Sequence, residues 1–255
     1  MVKMIVTDLD DTLLNDERKI SAYSRSIITS VQNKGILFII ATARSFPAAA
    51  VAIKDINPDW GIYNNGALAI SKVSNRVAVP IQICDTATVA NCLLTELVND
   101  IKVKTIKISA VQNEYASKIG LKKNGISYKY TDFNSGLNED VYKIMVKTAI
   151  GFTPQFYATK YDLKCYLTRD QATYVYVNKC ADKMSAIQMV AEQEQIPIEQ
   201  IVAFGDDVND IKMLEGCGVG VAVSNALPTL YNVAAQICGS NKNDGVAHWI
   251  EYNVL

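Results

Sequence analysis

A chain of 255 residues is long enough to form one large domain or two modest ones around a substantial core. Its formal net charge of −1 excludes the strongly basic surface of a nucleic-acid or anionic-membrane binder, and its 49% hydrophobic and 20% charged residues are typical of a globular protein. No apolar run approaches the ~18 residues of a membrane helix, and no basic-then-apolar leader precedes Asp8. We therefore expect a cytoplasmic protein with no nucleic-acid or membrane partner.

The first third of the chain alternates strand-like and helix-like segments. The apolar, β-branched run KMIVTD predicts a buried strand. A helix is then expected between an N-cap at Ser21 and a stop at Gly35. The run ILFIIAT predicts a second strand, a short helix is expected at about 46–55, and WGIYNN predicts a third strand that ends in a turn at Asn65 and Gly66.

The middle of the chain, residues 81–180, has a different texture. Its lysines are concentrated, its tyrosines are frequent, and runs such as VYKIMVKTAI, LKCYLTR and ATYVYVN alternate polar and apolar residues. This alternation is typical of an antiparallel sheet with one solvent-facing side. We interpret the segment as an inserted α+β domain.

The last third returns to the pattern of the first. The run KMSAIQMVAEQEQI predicts a helix, IVAFGD a buried strand, DIKMLEGCG a short helix and VGVAVSN another strand. Strands that alternate with helices at this spacing predict an α/β fold with a doubly wound, parallel, Rossmann-like sheet. Residues 1–80 and 181–255 would form this core domain.

The supply of reactive side chains limits the chemistry. The six cysteines contain no CxxC pair, so we expect reduced, mostly buried thiols rather than disulfides or zinc ligands. The one histidine, His248, lies in a segment near the C-terminus where it is expected to pack or to cap a helix. Catalysis must therefore depend mainly on carboxylates, lysines and hydroxyls, with a metal ion as a further option.

Polar residues follow the predicted core strands at the point where each strand ends. Ligands of an open parallel sheet bind beyond the carboxyl ends of its strands, near the switch in strand order. If these strands are neighbours, acids from both ends of the sequence meet in one pocket. The residues concerned are, in chain order, Asp8, Asp10, Thr42, Asn65, Asp206, Asp207 and Asp210.

Several carboxylates in one pocket cannot all stay ionised without a compensating cation. Carboxylate oxygens are hard ligands that suit Mg²⁺, which takes one or two carboxylates and substrate phosphate. Each feature also has an ordinary alternative: Thr42 could be a helix N-cap, Lys183 a solvated surface lysine, and GDDVND a fragment of a calcium loop, although the spacing of an EF-hand is absent. The ordered combination of these features favours catalysis.

The runs DLDDTLL, ATAR and GDDVNDIKML, together with the region of Lys183, resemble the four ordered motifs of the haloacid dehalogenase (HAD) superfamily. The runs GVGVAVSNA and NKNDGVA also resemble its Cof-type members, the subfamily IIB phosphatases. The resemblance covers the core segments and implies a HAD-type α/β fold. The inserted segment has the position and length of the cap, the substrate-specificity domain of that subfamily.

The resemblance also implies a Mg²⁺-dependent phosphatase that forms an aspartyl-phosphate. Asp8 would be the nucleophile, and Asp10 would protonate the leaving alcohol and then activate the hydrolytic water. Residues implied to bind the substrate phosphate are Thr42, Ala43, Arg44, Asn65, Lys183 and Asn209. Residues implied to bind the metal are Asp8, Asp10 through its backbone carbonyl, Asp206, Asp210 and, as an alternative or outer ligand, Asp207.

The spacing of two between Asp8 and Asp10 would let both side chains leave a strand end on the same side. The sequence departs from the family pattern at several positions. Asp11 stands where many members have glycine, and Lys179 is an alternative to Lys183 as the phosphate-binding lysine. The run ATAR replaces the commoner TGR, Met184 replaces a usual glycine, and Tyr176 stands where an acidic residue often contacts substrate.

Small phosphorylated metabolites, with sugar phosphates favoured, are the expected substrates of a monomer or homodimer. A phosphomutase of the same superfamily is an alternative, because Asp10 could activate a sugar hydroxyl instead of water. A non-enzymatic, phospho-accepting receiver is a second alternative, although receivers are about half this length and carry the acceptor on a middle strand.

Overall fold

The structure, a computed structural model, describes residues 1–71, 77–80, 87–123, 125–168 and 171–255. The chain divides into two compact units, of which the first comprises Met1–Arg44, Ala49–Val79 and Asp182–Leu255 and the second Ser45–Ala48 and Pro80–Ala181. The predicted boundary at residue 81 falls on residues 81–86, outside the described part. The grouping of Ser45–Ala48 with the second unit was not indicated by the sequence pattern.

The first unit is built on an eight-stranded sheet. Its strand order is β16-β15-β14-β1-β2-β3-β4-β5, and each neighbouring pair from β16 to β3 is parallel, whereas β3 and β4 are antiparallel. The predicted α/β class with a doubly wound parallel sheet is therefore confirmed. The strands are β1 (Met4–Thr7), β2 (Leu37–Ala41), β3 (Trp60–Tyr63), β4 (Leu68–Ser71), β5 (Val77–Pro80), β14 (Ile201–Gly205), β15 (Val219–Val223) and β16 (Gln236–Cys238).

Strand β1 is the centre of this sheet. Its residues Met4, Ile5 and Val6 are fully buried, which is why the run is apolar on both faces rather than alternating. Its two neighbours, β2 and β14, come from opposite ends of the sequence, so the strand order switches at β1. Residues that follow β1 and β14 consequently lie at the position where open parallel sheets bind ligands.

Among the described residues, five α-helices belong wholly or partly to the first unit. The N-cap predicted at Ser21 is present, because its hydroxyl accepts a hydrogen bond of 2.9 Å from the backbone N–H of Ser24. The helix predicted at 46–55 ends three residues earlier than expected. The helices are α1 (Ala22–Asn33), α2 (Phe46–Ala52), α5 (Lys183–Gln193), α6 (Ile211–Gly216) and α7 (Gly245–Asn253).

The second unit is an α+β fold. Its main sheet has the order β10-β7-β6-β11-β13-β12, with antiparallel pairs except between β10 and β7, and β8 pairs separately with β9. The elements are α3 (Ala87–Asn99), β6 (Val103–Ser109), β7 (Glu114–Ala116), β8 (Lys122–Lys123), β9 (Ile126–Ser127), β10 (Lys129–Tyr130), β11 (Lys143–Thr148), α4 (Pro154–Lys160), β12 (Leu163–Leu167) and β13 (Thr173–Asn178).

The hydrophobic core of the second unit lies on one face of this sheet. Leu93, Leu94 and Leu97 of α3 pack there with alternate strand residues such as Ile108 and Ile144. Tyr176 belongs to the same core, and its hydroxyl donates a hydrogen bond of 3.1 Å to the carbonyl of Pro154. Because Tyr176 is fully buried, the residue at this position packs instead of presenting a polar group to solvent.

Two further expectations concern single residues. Of the described cysteines, Cys217 and Cys238 are buried and Cys92 and Cys180 are exposed, so the expectation of mostly buried thiols is not met; Cys84 lies outside the described residues. His248 packs as expected, with its ring centroid 4.6 Å from that of Tyr23. Among the described helices, none has both the length and the apolar character required to cross a bilayer.

Substituting Ser21 by alanine should lower the free energy of unfolding by about 1 kcal/mol, because an N–H at the start of α1 loses its side-chain partner. Chemical denaturation measures the change. Ser30→Ala is the matched control within the same helix, where the serine hydroxyl bonds only to the carbonyl of Ser26 and alanine is a good helix former. Equal destabilisation by both substitutions would contradict the capping role.

Candidate active site

The candidate site begins where β1 and β14 end. Asp8 follows β1 directly, and its backbone N–H donates a hydrogen bond of 3.0 Å to the carbonyl of Phe204 in β14. Asp206 follows β14 directly, so the two carboxylates lie at the same edge of the sheet. Both residues are buried.

Lys183 forms ion pairs with acids from both ends of the sequence, Asp8 and Asp210. Its ammonium nitrogen Nζ lies 2.7 Å from Oδ1 of Asp8 and 2.6 Å from Oδ1 of Asp210, and the side chain is only 1% exposed. Burial opposes the positive charge, but the carboxylates of Asp210 and Asp8 outweigh it and raise the pKa of Lys183. Lys183 is the first residue of α5, whose N-cap is Asp182. The position of the helix start therefore places the lysine next to the acids.

Asp210 is held rigidly by the loop that follows β14. Its Oδ2 accepts hydrogen bonds of 3.0 Å from the backbone N–H groups of Asp206 and Asp207, while its Oδ1 accepts from Lys183. Gly205 leaves room for this arrangement, because a Cβ there would lie 2.4 Å from the Cβ of Asp210. Both oxygens of Asp210 therefore have protein partners, which suits a supporting role in the site.

Asp206 is held by a contact across the sheet. Its Oδ1 accepts a hydrogen bond of 2.7 Å from the hydroxyl of Thr12, in the turn after β1. Burial, reinforced by the negative charge of Asp210, raises the pKa of Asp206 to about 7. Burial likewise raises the pKa of Asp8 well above its usual value, and the nearby charge of Lys183 offsets only part of this rise.

These raised pKa values indicate a cluster with excess negative charge. One carboxylate oxygen from each of Asp8, Asp206 and Asp210 lies within 4.8 Å of the other two. Three carboxylates and one ammonium group leave a formal charge of −2 when all are ionised, which a divalent cation would cancel. A donor set made only of oxygens fits Mg²⁺.

Asp207 has a different place among the predicted metal ligands. Its carboxylate caps the short turn Val208–Asp210, accepting a hydrogen bond of 2.7 Å from the backbone N–H of Val208. Asp207 is half-buried and is not part of the carboxylate cluster formed by the described residues.

Asp10 does not share the surroundings of Asp8. Arg44 binds both of its oxygens, at 2.8 Å through Nε and 2.6 Å through Nη2, and Arg18 adds a contact of 2.9 Å. Partial burial opposes ionisation, but these arginines lower the pKa of Asp10. That Asp8 and Asp10 leave a strand end on the same side stays a prediction; β1 ends at Thr7, and the irregular turn that follows has extended backbone angles at Asp10, with φ −72° and ψ 128°.

The backbone conformation at Asp11 accounts for the glycine that many family members have at this position. Its backbone has φ 60° and ψ 7°, in the left-handed region where glycine is favoured and aspartate is better tolerated than most residues. Its carbonyl accepts a hydrogen bond of 2.7 Å from the side chain of Asn225. The chain thus keeps the turn without the glycine.

The loop after β2 carries Thr42, Ala43 and Arg44. Thr42 is buried and its hydroxyl accepts a hydrogen bond of 3.1 Å from the backbone N–H of Arg44, whereas Ala43 is exposed. The alternative that Thr42 caps the following helix is wrong, since α2 begins only at Phe46. The backbone of Thr42 is tied to β3 by its N–H, which lies 2.8 Å from the carbonyl of Ile62.

The turn after β3 brings two of the predicted residues together. Oδ1 of Asn65 accepts a hydrogen bond of 3.0 Å from Nδ2 of Asn209. The neighbouring Asn64 was not predicted, yet it is 1% exposed and neither polar atom of its side chain has a hydrogen-bond partner among the described residues. The dipeptide Asn64-Asn65 contained both candidates, but sequence gave no basis for choosing the first.

The two candidate lysines differ in their surroundings. Lys179 belongs to the second unit, where its side chain is 59% exposed and forms an ion pair with Asp162, whose side chain is 73% exposed. Lys183 lies in the carboxylate cluster of the first unit. This contrast favours Lys183 as the lysine of the site.

Comparisons with known proteins agree with this geometry. A family model described as haloacid dehalogenase-like hydrolase matches residues 5–250. The 5-amino-6-(5-phospho-D-ribitylamino)uracil phosphatase YcsE of Bacillus subtilis is 25% identical over 98% of this chain and 96% of its own.

Two solved structures share the fold. A haloacid dehalogenase-like hydrolase from Bacteroides thetaiotaomicron has a TM-score of 0.85 at 22% identity, covering 99% of both chains. A sugar phosphatase of HAD subclass IIB has a TM-score of 0.77 at 19% identity, covering 98% of both chains.

Replacing Lys183 by methionine should lower the free energy of unfolding by about 3–5 kcal/mol without a divalent cation, because the buried acids lose their one ammonium partner among the described residues. Mg²⁺ should restore part of the loss. Chemical denaturation in EDTA and in Mg²⁺ measures both effects. Lys179→Met is the control and should change stability by less than about 1 kcal/mol, since its ion pair is exposed; a similar loss in both variants would contradict the assignment.

Proposed function

The chain belongs to the haloacid dehalogenase-like hydrolase family and is a phosphatase of that family, and from this premise we propose that it is a Mg²⁺-dependent enzyme that hydrolyses small phosphorylated metabolites, with sugar phosphates as the favoured class. The observation that carries the proposal is the buried contact between Asp8 and Lys183 beside Asp206 and Asp210. This arrangement offers a carboxylate nucleophile, a fixed positive charge and an oxygen-donor set in one place.

The substrate class is supported by the relatives. One is named for a phosphatase of a ribityl phosphate, and a structural neighbour is named a sugar phosphatase, so both names refer to phosphate esters of hydroxyl-rich carbon chains. The lysine- and tyrosine-rich second unit occupies the inserted segment that we propose as the substrate-specificity cap, formed by residues 81–180.

In the proposed reaction, Asp8 attacks phosphorus through a carboxylate oxygen and forms an aspartyl-phosphate as the bond to the leaving oxygen breaks. Lys183, whose ammonium lies 2.7 Å from Asp8, offsets the charge of the phosphoryl oxygens. Water then attacks the aspartyl-phosphate and releases inorganic phosphate with Asp8 restored. Thr42, Ala43, Arg44, Asn65 and Asn209 remain the proposed contributors to phosphate binding.

Asp10 is proposed to act first as the acid and then as the base. Its lowered pKa suits the base step, in which an ionised carboxylate takes a proton from water. The acid step requires a protonated Asp10, and it is favoured when Arg44 turns from Asp10 towards the substrate phosphate. Arg44 would thereby couple phosphate binding to the protonation of the acid.

The proposed Mg²⁺ ligands are the side chains of Asp8 and Asp206 and the backbone carbonyl of Asp10, with Asp210 in support and Asp207 as an outer or alternative ligand. A bound Mg²⁺ would neutralise the carboxylates and shield an approaching phosphate. Thr12 and the backbone N–H groups that bind Asp210 hold the ligands in position without the ion.

The alternatives differ in what accepts the phosphoryl group. A phosphomutase would pass it to a sugar hydroxyl and require a bisphosphorylated sugar activator, whereas a phosphatase releases inorganic phosphate from simple monoesters. A panel of phosphorylated metabolites, assayed with and without Mg²⁺, separates the two. The receiver alternative is not supported, because the matching family consists of hydrolases.

Substituting Asp8 by asparagine should reduce Mg²⁺-dependent release of phosphate from p-nitrophenyl phosphate by several orders of magnitude, since the amide is a poor nucleophile. Asp10→Asn should reduce it by about 10²–10⁴-fold. The control is Asp55→Asn, an exposed aspartate of the same unit whose loss should leave the rate unchanged. Activity retained by the Asp8 variant would remove the proposed nucleophile.

Replacing Asp206 by alanine should raise the Mg²⁺ concentration for half-maximal activity by about 10-fold or more, because a buried carboxylate ligand is lost. A Mg²⁺ titration of the rate measures the change. Asp207→Ala, which removes a turn cap outside the cluster, should raise it less. An unchanged requirement in the Asp206 variant would count against its role, and equal shifts would make Asp207 a ligand.

A further inference from the structure

Arg18 of the first unit lies beside Asp10 but has no part in the proposed mechanism. Its Nη1 lies 2.9 Å from Oδ1 of Asp10, and this contact is the one hydrogen bond or ion pair that its side chain forms with the described residues. A guanidinium group carries five N–H donors. One bond to Asp10 therefore leaves most of its hydrogen-bonding capacity for another acceptor.

A closed turn, residues 15–19, presents the side chain of Arg18. Oδ1 of Asn15 accepts hydrogen bonds of 3.0 Å from the backbone N–H groups of Glu17 and Lys19, and the backbone N–H of Arg18 donates one of 2.8 Å to the carbonyl of Asn15. Arg18 has φ 57°, in the left-handed region that glycine and asparagine adopt more readily than arginine. Strain of this kind persists where the surrounding structure imposes it and is frequent at functional sites.

The exposure of the site rises from the proposed nucleophile towards Arg18. The side chains of Lys183 and Asp8 are 1% and 10% exposed, whereas those of Asp10 and Arg18 are 34% and 66% exposed. The phosphate of a substrate must reach the buried Asp8. The rest of the substrate is bonded to the oxygen that Asp10 protonates, so it extends from Asp10 towards the more exposed end of this series.

The distances place Arg18 within reach of the leaving group. A carboxylic acid protonates an oxygen that lies about 2.6–3.2 Å from it. Because Nη1 of Arg18 is 2.9 Å from Oδ1 of Asp10, an oxygen protonated by Oδ1 lies within about 6 Å of Nη1. A substituent on the first few carbon atoms of the leaving group can therefore contact the guanidinium group.

The charges around Asp10 select an anionic substituent. Arg18 and Arg44 share the single carboxylate of Asp10, which leaves one formal positive charge when all three groups are ionised. The two other acids of the turn each have a lysine partner at 3.0 Å, in the pairs Glu17–Lys19 and Asp16–Lys242. A guanidinium group binds a carboxylate or a phosphate through two parallel N–H donors, and it repels a cationic group.

We propose that Arg18 binds an anionic substituent of the leaving group, either a carboxylate or a second phosphate. Arg18 thereby raises the activity on phosphorylated sugar acids and bisphosphates relative to phosphate esters of neutral polyols. This inference rests on the proposed phosphatase function, which places the leaving oxygen at Asp10, and it adds to that function a residue that determines specificity.

The test uses pairs of substrates that differ in one anionic group. The members of the first pair, 3-phosphoglycerate and glycerol 3-phosphate, differ by a carboxylate, and those of the second, fructose 1,6-bisphosphate and fructose 6-phosphate, differ by a phosphate. Values of kcat/KM are measured with Mg²⁺, and each pair gives a ratio of the anionic to the neutral leaving group. Arg18→Asn should lower this ratio by about 10-fold or more in at least one pair, the loss of one charge-assisted contact. The pair that responds identifies the substituent as a carboxylate or a phosphate.

Lys19→Asn is the matched control, because it removes a positive charge of the same turn whose partner is Glu17 rather than Asp10. Its ratios should stay within about 2-fold of the wild type, since an exposed ion pair contributes little. Asparagine suits the left-handed backbone of Arg18, so Arg18→Asn should keep the turn. A change in the action of Asp10 itself affects both substrates of a pair and cancels in the ratio.

Two outcomes would overturn the proposal while leaving the phosphatase function intact. One is that Arg18→Asn leaves the ratios of both pairs unchanged, or lowers them no more than Lys19→Asn does. The other is a wild-type protein that hydrolyses p-nitrophenyl phosphate but none of the four esters. If thermal unfolding shows that the asparagine variant does not fold, Arg18→Gly takes its place with the same expected result.

A wild-type protein inactive on every ester, p-nitrophenyl phosphate included, would instead contradict the proposed function. Arg18 is then tested by calorimetric titration of the wild type and Arg18→Asn with the four esters, and the same titration applies if the variant loses all measurable activity. Binding of an anionic member that is weakened about 10-fold in the variant, with the neutral member unaffected, supports the proposal. Equal or absent binding overturns it.

Discussion

The buried ammonium group of Lys183 is the constraint on which the first unit depends. A charge with 1% exposure is tolerated only when its partners lie within hydrogen-bond distance, so the end of β1, the start of α5 and the turn after β14 must meet. Two glycines permit this meeting. A Cβ at Gly66 would lie 2.1 Å from the carbonyl of Asp182, and one at Gly205 would overlap Asp210. The close backbone packing at these glycines therefore makes the ion pairs of Lys183 possible.

The same constraint gives the aspartates unequal roles. Both oxygens of Asp210 accept hydrogen bonds from the protein. The pKa values of Asp8 and Asp206 are raised, which indicates that nearby positive charge does not fully compensate these two buried carboxylates. Asp10 has the opposite environment, with arginine on both oxygens. Aspartates of one site thus differ by their partners, as the separate roles that we propose for Asp8, Asp10 and Asp210 require.

Much of this arrangement could be predicted from the sequence, because it follows from local patterns and topology. Apolar runs predict the buried strands, and the rule for strand ends predicts that Asp8 and Asp206 lie near each other once β1 and β14 are neighbours. Lys183 could be named from the resemblance of its region to a family motif, but the choice between Lys183 and Lys179 needed the structure, in which Asp182 caps the helix that Lys183 begins.

Other features depend on geometry that short sequence patterns do not encode. The partners of Asp10 depend on the turn after β1, in which Asp11 adopts a left-handed conformation. The burial of Asn64, whose polar atoms have no hydrogen-bond partner among the described residues, depends on which side chain of the turn after β3 points inwards. The alignment of Glu114, Ser109 and Lys143 depends on strand register across three strands, and a shift of one residue would place them on different faces of the sheet.

The central position of β1 has a consequence for biosynthesis. Its neighbour β2 is translated soon after it, whereas β14 follows only after the whole second unit has been made. Until then one edge of a strand whose residues are all buried in the folded protein has no partner from its own chain, and such an edge is a template for pairing with other molecules. A chain that is truncated before β14 would keep this edge unpaired and should be prone to aggregate.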